Sequence, residues 1–518
     1  MSSDPVPSAP HALIIGGGIT GLAAALILAS RGYRISRLER DAELETDDAS
    51  DAFAHWERRG APQVRHSHIF PGRLRNFLRD HHPDVLEALR RAGARELRAT
   101  DRPPKSLAPL APQDGDDDIV FLAVRRTTFE WVLRREVLAK GNVELIRGAS
   151  VVGLVAAAGD PPHVRGVLCR IAGTHSAGEG DPQELSADVV VDASGRTSHA
   201  HEWLAAIGAG APEEEQEPSG IVYYTRFYRF LPGAAEPVPG EHPTAGDWNW
   251  VKYAVFPADG GVFSITLAVP LAFPRLKVLV QPPAFDEMVH RIPGLAPWVD
   301  ANVSEPIGDL RHPVRGMGGL INRLRRFVVA GKPLALGFFV LGDAAYCTNP
   351  LYGRGCAQGF LHAQFLAEAL AAHAGDLRAA ALDLDRRTRA EIEPFYRASV
   401  LADRDAVRKA ERRPPHKLGN RLRQYFFEYG VGPATRCDPV VYRAFLRMMN
   451  MLETPEQAFG RPEVILRSLW VLARGRRYNH RRYGLPPPPD EDETVGAVLR
   501  ASQNPAPPAK LHAVSQRR

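Results

Sequence analysis

Ile14-Ile15-Gly16-Gly17-Gly18-Ile19-Thr20-Gly21-Leu22 decides the fold. Residues 12–15 are short, apolar and bounded by Pro10 and by glycines, which predicts a buried parallel strand. The Ala/Leu-rich run 22–30 predicts a helix. Between the two, Gly16 permits a tight turn, Gly18 lets the backbone approach a pyrophosphate, and Gly21 lets the helix pack closely on the strand. A helix that starts there aims its free N–H groups and the positive end of its dipole at the same anion. Gly32 ends the helix, residues 33–38 read as the next strand, and Glu39 closes it. About twenty residues after the glycines, a carboxylate is placed to accept hydrogen bonds from ribose hydroxyls. A strand-turn-helix that used glycine only for packing would leave Glu39 unexplained. The expectation is a dinucleotide-binding α/β unit.

Two later stretches extend the pattern. Val189-Val190-Val191-Asp192-Ala193-Ser194-Gly195-Arg196 ends a second apolar strand. Phe339-Val340-Leu341-Gly342-Asp343-Ala344-Ala345 leads into Asn349-Pro350-Leu351-Tyr352-Gly353-Arg354-Gly355. Asp343, just after a glycine at a strand end, can accept hydrogen bonds from a polyol such as a ribityl chain. Gly353 and Gly355 free the backbone to approach a planar ring, and a helix beginning near Cys356 presents unpaired N–H groups. Such groups stabilise negative charge on a reduced flavin. Three distant stretches returning to one bound flavin account for the set.

Composition narrows the alternatives. Apolar residues make up 44% and charged residues 24% of 518, as in ordinary globular enzymes of two or three packed units. The net charge of +5 is modest, and arginine groups such as Arg323, Arg325 and Arg326 are short and not interleaved with aromatics, which argues against nucleic-acid binding. Cys169, Cys347, Cys356 and Cys437 form no C-x-x-C pair, so neither a zinc ribbon nor a redox dithiol is indicated. The low cysteine count and the polar residues 1–10 fit a cytoplasmic protein without a signal peptide. The apolar run 333–346 is too short and too glycine-rich to span a bilayer. His66 and His68 lack a third ligand at suitable spacing, so no metal is expected.

The expected organisation is a discontinuous nucleotide-binding domain over 10–211 and 326–400, with a mostly helical excursion at about 47–110. The acidic stretch 212–218 reads as a linker into a β-sheet substrate domain at 212–325, with strands at 221–230, 248–256 and 262–269. A helical region follows over 401–484. Four prolines at 486–489 and the acids Asp490-Glu491-Asp492-Glu493 mark 485–518 as a disordered tail.

The whole set resembles the FAD-dependent monooxygenases of the aromatic-hydroxylase superfamily, which share the glutathione-reductase-like FAD fold. The matches are Gly16, Gly18 and Gly21, then Asp192 with Gly195, then Gly342-Asp343 with Pro350, Gly353 and Gly355. Ala193 and Ser194 separate Asp192 from Gly195, a departure in spacing that gives the D-A-x-G-R form. Pro62-Gln63-Val64-Arg65-His66-Ser67-His68 and the 349–353 loop look most like bacterial polyketide epoxidases and, more distantly, squalene epoxidase. The resemblance covers about residues 10–400.

It implies a Rossmann-like α/β FAD-binding domain with an inserted β-sheet substrate domain and a C-terminal helical region. It implies FAD held by Gly16, Gly18, Ile19, Thr20, Gly21, Glu39, Arg40, Arg126, Val151, Asp192, Gly195, Gly342, Asp343, Pro350, Gly353, Arg354 and Gly355. Arg126 would reach the pyrophosphate, and the backbone of Val151 the adenine. Arg65 and His68 would border the flavin, and Tyr224, Arg226, Trp248 and Trp250 would wall the pocket. The implied reaction inserts one oxygen atom from O2 into a hydrophobic substrate through a flavin C4a-hydroperoxide, in secondary metabolism. NAD(P)H is the implied electron donor, directly or through a separate flavin reductase. No catalytic nucleophile is required, and Cys347 and Cys356 are expected to pack as small residues.

A flavin-dependent halogenase is the nearest alternative, because Trp248-Asn249-Trp250 is similar to the W-x-W of those enzymes. Against it, Lys252-Tyr253 stand where Ile-Pro is expected, and Leu22 follows the glycines where a tryptophan is expected. An isoprenoid-type reductase and a non-catalytic FAD-binding scaffold are the other readings. Residues 464–474 are amphipathic and basic, and are expected to cap the substrate domain or to make weak contact with a membrane surface.

Overall fold

Strand β1 (His11–Ile15) lies at the centre of a five-stranded parallel sheet in the computed structural model. β2 (Arg34–Glu39) pairs with one side of it and Val189–Asp192 with the other; Val143–Arg147 and Phe338–Val340 form the edges. The apolar runs 12–15, 189–191 and 338–341 are buried throughout, as the interior of a sheet covered on both faces requires, while the edge strand Val143–Arg147 is only partly buried. Helix α1 (Ile19–Ser30) is buried from Gly21 to Ala29 and packs on the helix Gly355–Ala372. Residues 9–41, 46–56, 58, 60–172, 181–238, 242–308, 312–414 and 418–503 are described.

The chain forms two units: 1–64, 127–217 and 321–400 make the first; 65–126, 218–320 and 401–518 make the second. The first adds an antiparallel sheet of Ala149–Ala157, His163–Ile171 and Gln183–Ser186. The helices Gly72–His81 and Pro83–Arg91, expected as an excursion of the nucleotide domain, belong instead to the second unit.

Three expectations are corrected. The acidic stretch read as a linker is a strand, Glu213–Pro218, paired with Ile321–Arg326. Its acids are matched by bases: Arg325 Nε donates to Glu214 at 2.6 Å, and Arg397 Nη2 donates to Glu215 at 2.7 Å. Residues 248–256 are not one strand but a hairpin, Ala245–Asp247 and Lys252–Pro257, turned at 248–251. Asn249 adopts φ +67°, a conformation that asparagine tolerates better than most residues, and Trp248 N–H donates to Val251 O at 3.0 Å. The tail contains a helix, Glu491–Gln503, which buries Val495 and Val498 in the core of the second unit. Its acids sit in the first turn, where the helix dipole favours them, and Asp490 accepts from Glu493 N–H at 2.8 Å. Residues 504–518 lie outside the described residues.

The second unit is built on a sheet whose central strand, Val262–Pro270, is buried along its whole length beside Ile221–Phe230. Phe263, Ile265 and Leu267 pack with Tyr224, Tyr228, Trp250, Phe285 and Trp298. The helices between 427 and 473 carry a separate small core that includes Val431, Ala434, Val441, Ala444, Val464 and Val471. No helix among the described residues is long and apolar enough to cross a membrane.

Candidate flavin site

The glycine turn joins the central strand to its helix by contacts that leave no room for side chains. Gly16 has φ +106°, donates its N–H to Leu38 O at 2.9 Å, and lies so close to Ala193 O that a Cβ would sit 2.7 Å away. A Cβ on Gly21 would lie 2.0 Å from Gly16 O, so the helix packs directly on the turn. Gly18 differs: a Cβ there would meet nothing within 4 Å. Gly18 is the N-cap of α1, no side chain caps that end, and no acid occupies its first turn. The first-turn N–H groups thus have no side-chain partner at the cap, as an anion cradle requires.

Glu39 lies beside this turn, buried, with Oε1 accepting from Asp41 N–H at 2.9 Å. Its Oε2 is pressed against Gly17, where a Cβ would come within 2.0 Å. Arg58 Nη2 stands 3.2 Å from Glu39 Oε2 and 3.2 Å from Glu130 Oε1, bridging two buried carboxylates. A carboxylate has about four acceptor positions, so Glu39 keeps capacity for ribose hydroxyls. Trp56 flanks this cluster, with the guanidinium of Arg58 at 5.1 Å and that of Arg134 at 5.7 Å from its ring. Arg40 is exposed, and Val151 is half-buried in the antiparallel sheet.

The other two motifs end neighbouring strands. Asp192 is fully buried; Ser194 N–H donates to Oδ1 at 2.9 Å and Ser198 Oγ to Oδ2 at 2.6 Å, so this carboxylate shapes its own loop. Burial pushes its pKa up against those hydrogen bonds. Gly195, at φ +81°, has open space where a Cβ would stand. Asp343 is partly exposed and accepts from Arg196 Nε at 3.2 Å, which ties the middle motif to the late one. Asn349 caps the Pro350–Tyr352 turn, Gly353 follows at φ +64°, and the helix Gly355–Ala372 starts with no side-chain cap and no acid in its first turn. Arg354 turns to other partners: its Nη1 donates to Phe395 O and Ser399 Oγ, at 3.4 and 3.3 Å. Thr20 fills a notch between two glycines, since a Cβ on Gly342 or Gly359 would lie 2.5 or 2.4 Å from its Oγ1. Burial pushes the Cys347 thiol up to about 12, so it is no thiolate at neutral pH.

His362, which the sequence reading passed over, fixes the Asp343 turn. Gly342 N–H donates to its Nδ1 at 3.0 Å, so the proton of the neutral ring is on Nε2, 3.1 Å from Thr388 Oγ1. Burial lowers its pKa to about 3. An unfolded histidine takes up a proton near pH 6.5. The stability tied to this neutral ring is therefore whole above about pH 6.5 and is lost as pH falls toward about 3. Between about pH 7 and about pH 5 the loss is about 2 kcal/mol. His362→Asn keeps an acceptor for Gly342 but does not titrate, so its urea midpoint is expected to fall less over that range. Equal acid slopes for the two proteins would refute this.

The remaining predicted residues belong to the second unit. His68 Nδ1 donates to His66 O at 2.9 Å, which leaves Nε2 3.4 Å from Arg126 Nη1. Burial and Arg126 lower the His68 pKa to about 3. His66 Nδ1 meets Thr225 Oγ1 at 3.0 Å, and the chain continues through Thr266, Ser67 and Ser264 at 2.9, 2.7 and 2.7 Å. Arg65 ends the short turn Pro62–Arg65 just before it. Arg226 is paired with Asp286 and lies over the Tyr228 ring. Tyr224 and Trp250 are core residues; Trp248, partly buried, has its ring 5.8 Å from that of Trp250. The two tryptophans thus come together across a turn, not along a strand.

Gly17, Arg58 and Glu130 were not singled out by the sequence reading. Only Gly17 leaves a trace there, as the middle glycine of an uninterrupted run of three.

Residues 11–120 match the family model described as FAD dependent oxidoreductase. Protein Rv3254 of Mycobacterium tuberculosis is 28% identical over 468 residues, covering 86% of this chain and 90% of its own. The chain is also similar in fold to the chondrochloren halogenase CndH of a myxobacterium, with TM-score 0.55, 18% identity and 90 and 97% of the two chains covered. OxyS, an anhydrotetracycline hydroxylase from Streptomyces rimosus, gives TM-score 0.54, 19% identity and coverage of 86 and 76%. Residues 11–120 thus match the FAD dependent oxidoreductase model, and the chain shares its fold with that hydroxylase and that FAD-dependent halogenase.

Proposed function

We propose that this chain is an FAD-dependent monooxygenase that inserts one oxygen atom from O2 into a hydrophobic substrate, by epoxidation or hydroxylation. The observation that carries the reading is the open, uncapped N-terminus of α1 at Gly18, with the Glu39 carboxylate held against the same turn. Bound FAD would supply the redox chemistry that links an electron donor, NAD(P)H directly or through a partner reductase, to O2. The chain's own residues do the rest. The α1 N–H groups bind the pyrophosphate and Glu39 the ribose. Asp343 would accept from the ribityl hydroxyls, and the uncapped N-terminus of Gly355–Ala372 would stabilise negative charge on the ring. In the second unit, Tyr224, Arg226, Trp248 and Trp250 stay the candidates for contact with an apolar substrate, with Arg65 and His68 beside the hydroxyl chain. Polyketide-like substrates of secondary metabolism are the finer reading, supported by residues 62–68 and 349–353.

Halogenation is the second reading, favoured by Trp248-Asn249-Trp250 alone. The test is direct. The purified protein with FAD is expected to show flavin absorption, to oxidise NAD(P)H with O2 faster when an apolar alkene or arene is present, and to give a product carrying label from isotopic O2. Product formation that requires halide would replace this reading with the second. Colourless protein that ignores added FAD would end both.

A further inference from the structure

We propose that the C-terminal helices of the second unit dock on an anionic membrane surface. The helix Leu418–Phe426 has no buried residue, and Leu418, Leu422 and Tyr425, exposed by 70, 61 and 42%, recur along one side of it. The helix Pro462–Ala473 buries Val464, Ser468 and Val471 and leaves Leu466, Leu469 and Trp470 exposed by 65, 45 and 60% on the opposite side. The two helices pack on each other. Single apolar residues at a surface need no explanation, but six large ones on two adjoining helices do.

Charge selects the occupant. Arg421, Arg423, Arg476, Arg477, Arg481 and Arg482 are exposed on these helices and the next, Arg476–Tyr483, against Glu428, Glu456 and Glu463 as the exposed acids of 418–483. Cations also sit on the rings themselves. Arg474 lies 3.4 Å from the Trp470 ring, and Arg476 lies 3.8 Å from that of Tyr429 and 5.8 Å from that of Tyr425. Leucine and tryptophan beside arginine suit the boundary between acyl chains and anionic headgroups. A second copy of this chain would set arginine against arginine. Contact would be peripheral, since no described helix can span a bilayer.

The inference does not depend on the oxidation chemistry. The full-length protein is mixed with vesicles of phosphatidylcholine, or of phosphatidylcholine with phosphatidylglycerol, and sedimented. Binding to the mixed vesicles is expected, with loss at high salt and little binding to the neutral ones. Leu466→Ser with Trp470→Ser weakens it by roughly tenfold or more. Arg481→Gln with Arg482→Gln, both exposed, weakens it without touching an apolar residue, so the charge half is read even where the first pair disturbs folding. No binding, equal binding to both vesicles, or binding indifferent to the variants overturns the proposal. So does self-association abolished by Trp470→Ser, which would assign the face to a second copy.

Discussion

Gly17→Ala is expected to strip the protein of FAD. The new methyl would stand 2.0 Å from Glu39 Oε2 and 2.6 Å from Arg37 Nη1, so the carboxylate must leave its place beside the turn. Overpacking of this kind costs about 1–3 kcal/mol, and displacing Glu39 also takes a ribose acceptor away. Together they should weaken FAD by roughly a hundredfold, or about 3 kcal/mol. Fluorescence titration of the apoprotein measures it. Gly18→Ala is the informative companion. Its methyl meets open space and its φ of −77° suits any residue, so the apoprotein should melt as the wild type does. It should still bind FAD worse, because the methyl enters the cradle. Wild-type affinity in both variants would place the cofactor elsewhere.

Arg58→Met should destabilise the first unit more than any surface change. It leaves Glu39 and Glu130 without the guanidinium that bridges them, in a region where all three side chains are at most 7% exposed. Removing one partner of a buried ion pair costs about 3–5 kcal/mol, or about 10 °C or more in melting midpoint for a unit of this size. Arg58→Lys should rescue only part, since a single ammonium lacks the fork that reaches both acids. Glu130→Gln in the Arg58→Met background should recover stability, and the double-mutant cycle gives the coupling. An Arg58→Met protein that melts with the wild type would remove the network from the account.

The glycine turn, Glu39 and the Asp343 turn were legible because each follows from a local rule. A strand end needs a turn, a helix start needs a partner for its N–H groups, and a glycine marks close approach. Arg58 was not legible, because its meaning lies in carboxylates brought together from two other segments. The strand Glu213–Pro218 read as a linker for the same reason: three consecutive glutamates look solvated until Arg325, Arg326 and Arg397 arrive from far along the chain. The acids Glu491, Asp492 and Glu493 carried a local signal that was misread. Beside four prolines they resemble a disordered tail, yet acids at a helix start are what the dipole favours. Asn249 was the one mark of the turn inside an otherwise strand-like run.

The order of the parallel sheet sets a timetable for synthesis. β1 emerges first, but its neighbour Val189–Asp192 arrives much later, and the edge strand Phe338–Val340 later still. At roughly 5–20 residues per second, about a quarter of a minute or more separates the first strand from the last. Throughout that interval the nascent chain carries an apolar strand with an open flank. The first unit can close once residue 400 has emerged, while the second still awaits residues 401–518.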